Sequence, residues 1–100
     1  MRVSFHATLR PLVGSREAEV ALPAGATVRQ LAQELVRRWP ALGEHLLTPE
    51  GSLSRRVAIL VDGRSVRWLP EREDTVLSGE EAVHLFPPVA GGREPRDYET

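Results

Sequence analysis

From Arg2 to Thr8 apolar and polar positions alternate, with Val3, Phe5 and Ala7 on one side and Ser4, His6 and Thr8 on the other. This is the two-residue period of a strand that buries one face. Leu9 to Ser15, which carries Pro11 and Gly14, breaks the period; it resumes where Ala18, Val20 and Leu22 alternate with Glu17, Glu19 and Ala21. The spacing predicts a second strand, hairpinned to the first. After Pro23–Ala26 the period lengthens. Val28, Leu31, Ala32, Leu35, Val36 and Trp39 recur at three- and four-residue offsets and share one helix face. Thr27 stands three residues before Gln30 in the spacing of a capping box, and Pro40 stops the helix. Trp39 ends the apolar stripe as a core anchor, while Glu34 is placed to pair with Arg38 on the polar face.

The second half is less regular. Ala41 to Leu47 allows a short helical turn, and Thr48 to Ser54 reads as surface loop. Val57 to Val61 is almost wholly apolar and runs into Asp62-Gly63, the pattern of an interior strand entering a tight turn. A short edge strand is expected around Ser65 to Trp68, an irregular segment from Leu69 to Ser78, and a closing strand from Glu81 to Phe86. The order strand, strand, helix, strand, short strand, strand fits one helix packed across one face of a mixed sheet. Its first and last strands lie side by side at the centre, an α+β arrangement of the β-grasp kind.

The closing strand runs into Pro87-Pro88-Val89-Ala90-Gly91-Gly92. Pro87 and Pro88 have no backbone N–H, so the ladder cannot continue through them and the chain leaves the sheet extended. Six residues reach roughly 20 Å at ~3.3 Å each, and two glycines without Cβ atoms pass a channel too narrow for side chains. A Gly-Gly pair alone is common in linkers. Its place directly after a Pro-terminated closing strand makes residues 87–92 read as a delivery arm on a domain of residues 1–86. Residues 93–100 are charged and without period, the composition of a disordered tail.

Composition narrows the function. One hundred residues with 41% hydrophobic content supply one small core and no large catalytic cleft. The absence of cysteine rules out a disulfide framework, a thiolate metal site and a thiol nucleophile within the chain. The first residues run straight into a strand and no apolar run approaches ~18 residues, so neither a signal peptide nor a membrane span is expected and the cytoplasm is the expected compartment. A net charge of −1 gives no general reason to bind nucleic acid. All thirteen basic residues are arginine, so the chain has no lysine amine on which to build chains upon itself.

Several side chains are candidates for a role. Alternation puts His6 and His84 on the same outward face of neighbouring strands. No third ligand is placed by a motif, so the pair reads as cross-strand histidines and not as a metal site. His45 has no evident partner. Ala58, Leu60 and Phe86 share that outward face, where an apolar patch uncovered by the helix would let a partner dock beside the arm. Arg55, Arg56, Arg64, Arg67 and Arg72 bracket the third and fourth strands, as solvated surface or as a rim that steers a partner. No phosphate loop, nucleophile elbow or pair of catalytic carboxylates is present, and no catalytic site is expected.

The β-β-α-β-β-β order, Val3 to Arg10, Ala26-Thr27-Val28 at the helix entry, and His84-Leu85-Phe86-Pro87-Pro88-Val89-Ala90-Gly91-Gly92 at the end resemble the MoaD/ThiS sulfur-carrier proteins with the ubiquitin-like β-grasp fold. Leu9-Arg10-Pro11 and Arg56 to Arg67 look closest to the carriers that feed cysteine biosynthesis. The resemblance implies a protein cosubstrate, not an enzyme, that binds no cofactor. An E1-like adenylating enzyme using ATP and Mg²⁺ would activate the carboxylate of Gly92, and a sulfur donor would turn the adenylate into a thiocarboxylate for a sulfur-acceptor enzyme. Here Gly92 is followed by Arg93 to Thr100, so cleavage between Gly92 and Arg93, by a zinc metallopeptidase in some relatives, would have to come first. The alternatives are a ubiquitin-like modifier conjugated through Gly92, a molybdopterin synthase small subunit, and a binding module that is never trimmed.

Overall fold

The structure, a computed structural model, describes residues 1–87. The arm residues Pro88, Val89, Ala90, Gly91 and Gly92, the Gly92–Arg93 bond and the tail expected at 93–100 lie outside the described residues.

Strands β1 (Arg2–Phe5), β2 (Glu17–Glu19), β3 (Ala58–Val61), β4 (Arg64–Ser65) and β5 (Ala82–Phe86) form one sheet in the order β2-β1-β5-β3-β4. The central pair β1 and β5 is parallel, and every other pair is antiparallel. The described chain also holds helices α1 (Arg10–Val13), α2 (Val28–Arg38) and α3 (Gly43–Leu46), with 3-10 turns at Ala7–Leu9, Pro40–Leu42, Val66–Trp68 and Arg72–Asp74. The mixed sheet with its packed main helix is the expected α+β arrangement.

Helix α2 forms where its period placed it. The Gln30 N–H donates to Thr27 Oγ1 at 3.3 Å and the Thr27 N–H donates to Gln30 Oε1 at 2.8 Å, a complete capping box. At the other end the Trp39 N–H reaches the Leu35 carbonyl before Pro40 opens the next turn. Val28, Leu31, Ala32 and Leu35 are buried in a core they share with Val3, Phe5, Ile59, Val61, Val83 and Leu85. Trp39 is half-buried and meets the edge of Phe5, with ring centroids 5.7 Å apart and planes at 74°. On the polar face Glu34 takes Arg37 at 2.6 Å as well as the expected Arg38 at 3.1 Å. The hydrogen bond from Arg37, helped by that from Arg38, lowers its carboxyl pKa to about 2.

The structure departs from the pattern in three places. β1 stops at Phe5 and not at Thr8, because Ala7 turns to the left-handed region (φ 53°) and the chain coils through the Ala7–Leu9 turn into α1. That coil carries Leu9 into the core, fully buried, and seats Pro11 in the first turn of α1, where its missing N–H costs nothing. β2 shortens to Glu17–Glu19, although Val20 still donates its N–H to the Met1 carbonyl. The edge strand expected over Ser65–Trp68 is only Arg64–Ser65. The turn Asp62-Gly63, with positive φ at both residues (51° and 84°), makes the hairpin. The chain then winds into a 3-10 turn that buries Val66.

The outward apolar patch is corrected as well. Register places Ala58 opposite Phe86 and Leu60 opposite His84, so the face is as expected. Yet Ala58 and Leu60 are only 7% and 6% exposed, and Phe86 is half-buried. β3 is an interior strand, with β5 on one side and β4 on the other. Leu60 lies between His84 and Ser65.

Candidate functional site

The candidate site is the end of β5, from which the arm is expected to leave. β5 is the middle strand, paired along one edge with β1 from Arg2↔Ala82 to Phe5↔Leu85 and along the other with β3 from Ala58↔Phe86 to Val61↔Val83. Its side chains alternate, so Val83 and Leu85 enter the core and His84 and Phe86 face outward. The β1 side of the ladder ends where the His6 N–H donates to the Leu85 carbonyl at 3.1 Å. The next residue after Phe86, Pro87, has no N–H to extend the pairing.

Around this exit the outward face closes into a small cluster. His6 Nε2 and His84 Nδ1 are 2.9 Å apart, one donating and the other accepting. The His6 ring lies flat on Phe86, centroids 4.2 Å apart and planes 8° from parallel. Arg10, from α1, donates its Nε–H to the Phe5 carbonyl at 2.9 Å and puts a cation beside the pair. Burial first, then His84 and Arg10, lower the pKa of His6 below the ordinary 6.5, so the fold favours the neutral ring. The cavity here is open, and Ser4, Arg16 and Glu17 complete its rim. Glu17 is turned toward Arg2, 3.6 Å away.

Among the described residues no group of three or more His, Cys, Asp or Glu side chains is set to hold a metal ion. Sequence reasoning brought His6 and His84 to neighbouring strands; it missed Arg10, which reaches the pair only because α1 exists. Pro11 in a first-turn position was the signal that would have revealed that helix. His45, half-buried on α3, lies in a different element from the pair. The five arginines bracketing β3 and β4 are exposed. Trp68, expected inside an edge strand, is instead 70% exposed. No helix among the described residues is long and apolar enough to cross a membrane.

Comparison with known proteins accounts for this arrangement. The family model described as the ThiS family matches residues 3–92. Small archaeal modifier protein 3 of Haloferax volcanii is 33% identical over 92 residues, covering 92% of this chain and 98% of that protein. A candidate sulfur carrier protein of Archaeoglobus fulgidus is 45% identical over 49 residues, 49% of this chain and 54% of its own length. In the crystal structure of the Amycolatopsis orientalis BexX/CysO complex, the matching chain superposes with a TM-score of 0.72 at 26% identity, covering 91% of this chain and 98% of that one. A five-stranded mixed sheet, a capped helix across it and a central last strand followed by proline thus sit within a match over nine-tenths of the sequence: the chain belongs to the ThiS family of small ubiquitin-like β-grasp proteins, whose members include sulfur carriers and modifiers.

Proposed function

We propose that this chain is a sulfur-carrier protein whose cargo is held at the C-terminal carboxylate of Gly92. The observation that carries the reading is the extent of the family match, which begins at Val3 and ends at Gly92, the second residue of the Gly-Gly pair. The described fold supports it, because an arm leaving the strand paired on both edges has a fixed starting point from which to be presented.

The chemistry begins with hydrolysis of the Gly92–Arg93 peptide bond. The metal-bound water of a zinc peptidase would attack the Gly92 carbonyl, leaving a free carboxylate and the amine of Arg93. An E1-like enzyme would then join that carboxylate to the α-phosphate of ATP, bound with Mg²⁺, releasing pyrophosphate. Sulfur delivered at the sulfide level would attack the acyl-adenylate and expel AMP, leaving a thiocarboxylate in which one oxygen of Gly92 is replaced by sulfur. The carrier supplies no catalytic group. Its acceptor enzyme, in cysteine or another sulfur-metabolite synthesis, would take the sulfur onto its substrate, and water would cleave the acyl–sulfur bond and restore the Gly92 carboxylate.

The likeness to small archaeal modifier protein 3 favours a second reading, in which the same adenylate ends in an isopeptide bond to another protein's lysine. The deciding experiment is the intact mass of the protein recovered from its host, with its C-terminal peptide sequenced and the lysate blotted for conjugates. A species ending at Gly92 with sulfur in place of one oxygen is the expected result. Conjugate ladders without that species would select the modifier, and a protein found only as the full chain to Thr100 would overturn both.

A further inference from the structure

Positive charge gathers beside the end of β5. Arg10 and Arg16 both line the open cavity at the histidine pair, together with Ser4 and Glu17. Register fixes this company, because on the outward face Ser4 stands between Glu17 of β2 and His84 of β5. Arg10 is half-buried and spends its Nε–H on the Phe5 carbonyl, which leaves both Nη groups without a partner among the described residues. Arg16 is exposed. Among the described residues no carboxylate lies within ion-pair distance of either guanidinium group.

The acids nearby do not answer this charge. Glu17 is engaged by Arg2 at 3.6 Å, and Glu19, the next carboxylate along β2, takes the N-terminal ammonium at 3.1 Å. Arg2, Arg10 and Arg16 thus share the single carboxylate of Glu17, on a chain whose net charge is −1. The other neighbours of the pair are apolar, since Phe86 covers His6 and Leu60 stands opposite His84 on β3. The fold limits the excess by keeping its imidazoles neutral. Burial, then His84 and Arg10, hold the His6 pKa below the ordinary 6.5. One N–H···N bond joins the rings, so the neutral pair keeps one further N–H and one further lone pair.

We propose that this cavity binds a tetrahedral oxyanion of the phosphate or sulfate type, held by Arg10 and Arg16 and completed by the His6–His84 pair. Guanidinium groups take such anions through charge-assisted N–H···O bonds, and Ser4 adds a hydroxyl donor at the same wall. The cavity, about 620 Å³, has room for the anion and its remaining water. A dianion also matches the two guanidinium charges that Glu17 leaves over. As it enters, its charge reverses the unfavourable field at His6, and the pair takes up a proton from solvent on its spare lone pair. Anion and proton therefore strengthen each other's binding. A free anion and the phosphate group of a nucleotide share this chemistry. The site makes no use of Gly92, and it lies where β5 ends, so its occupancy sets the charge met there by any protein that receives the expected arm.

The test is NMR of the ¹⁵N-labelled full chain, following the histidine side-chain nitrogens during titration with sodium sulfate against sodium chloride at equal ionic strength. Sulfate keeps its charge between about pH 6 and about pH 8, so any pH response belongs to the protein. Saturable shifts are expected at the imidazoles of His6 and His84 and at the backbone of residues 4–6, 10 and 15–17. Binding is expected to be several-fold tighter at the lower pH, with a higher His6 pKa in sulfate than in chloride. Arg16→Gln, at an exposed position, is expected to weaken sulfate about threefold and R10Q/R16Q about tenfold. Arg64→Gln, on the strand at the far edge of the sheet, should change nothing, and His6→Gln should flatten the pH response. Displacement of sulfate then separates the sources: AMP no tighter than inorganic phosphate assigns the site to the free anion, and tighter AMP to a phosphate ester. Equal shifts in chloride, indifference to Arg16→Gln and R10Q/R16Q, or an affinity unchanged across the pH range would overturn the proposal.

Discussion

The two faces of β5 are built from one pentapeptide and held by different physics. Toward α2, Val83 and Leu85 are completely buried among Phe5, Leu31, Leu35 and Ile59. Toward the outside, His84 and Phe86 are half-buried and meet His6 through a hydrogen bond and a ring stack. The inner face is satisfied by volume, since any close-packed apolar set of the right size keeps water out. The outer face is satisfied by direction, because an imidazole pair works only with one proton donated along a 2.9 Å line. A strand with one face of each kind can anchor an arm firmly and still present a chemically distinctive surface beside it.

Truncation on the inner face should show the largest effect. Leu85→Ala leaves a cavity in a fully buried site, and urea denaturation is expected to report a loss of about 2–5 kcal/mol. A loss under 1 kcal/mol would mean that the core closes over the gap and is not packed by volume.

Leu60→Ala probes the outer face where it is best covered. At 6% exposure it is expected to cost about 2 kcal/mol, near the low end of the core range. Were Leu60 an exposed docking residue, stability would stay unchanged while partner binding fell.

His84→Ala removes a half-buried hydrogen-bonding partner whose loss water can partly replace. The expected cost is about 1 kcal/mol, and a shift in the His6 ring resonances should accompany it. If the His6 signals do not move, the pair is not formed in solution.

The smallest effect separates the faces by pH. The His6 pKa is lower in the folded chain than the ordinary 6.5, so the unfolded chain takes up a proton that the folded one resists. The stability held above pH 6.5 should therefore decline as the pH falls from 7 to 5, and His6→Gln should flatten that slope. Glu34, Glu73 and Glu81 have lowered pKa values and act in a lower window, their stabilisation being lost as the pH falls below about 4.5. An unchanged slope in His6→Gln would place the pH sensitivity elsewhere in the chain.

Much of this architecture was legible in the sequence. The helix could be read because its period, its cap and its stop are local, and each acts within a few residues. β3 and β5 could be read because their runs are apolar or alternating and bounded by Asp62-Gly63 and Pro87. The adjacency of His6 and His84 followed from alternation once the first and last strands were paired.

What the tertiary structure alone decided is of another kind. The end of β1 at Phe5 and the coil that buries Leu9 depend on a core position waiting for that side chain, which no local period records. The burial of Ala58 and Leu60 is equally beyond the local period, because alternation assigns a side chain to a face but does not say how much of that face is covered. Trp68 shows the reverse, a residue whose hydrophobicity predicts the interior but which the inward turn of Val66 sends to the surface. Periodicity determines which residues share a face. Only the assembled neighbours determine whether that face is wet or dry.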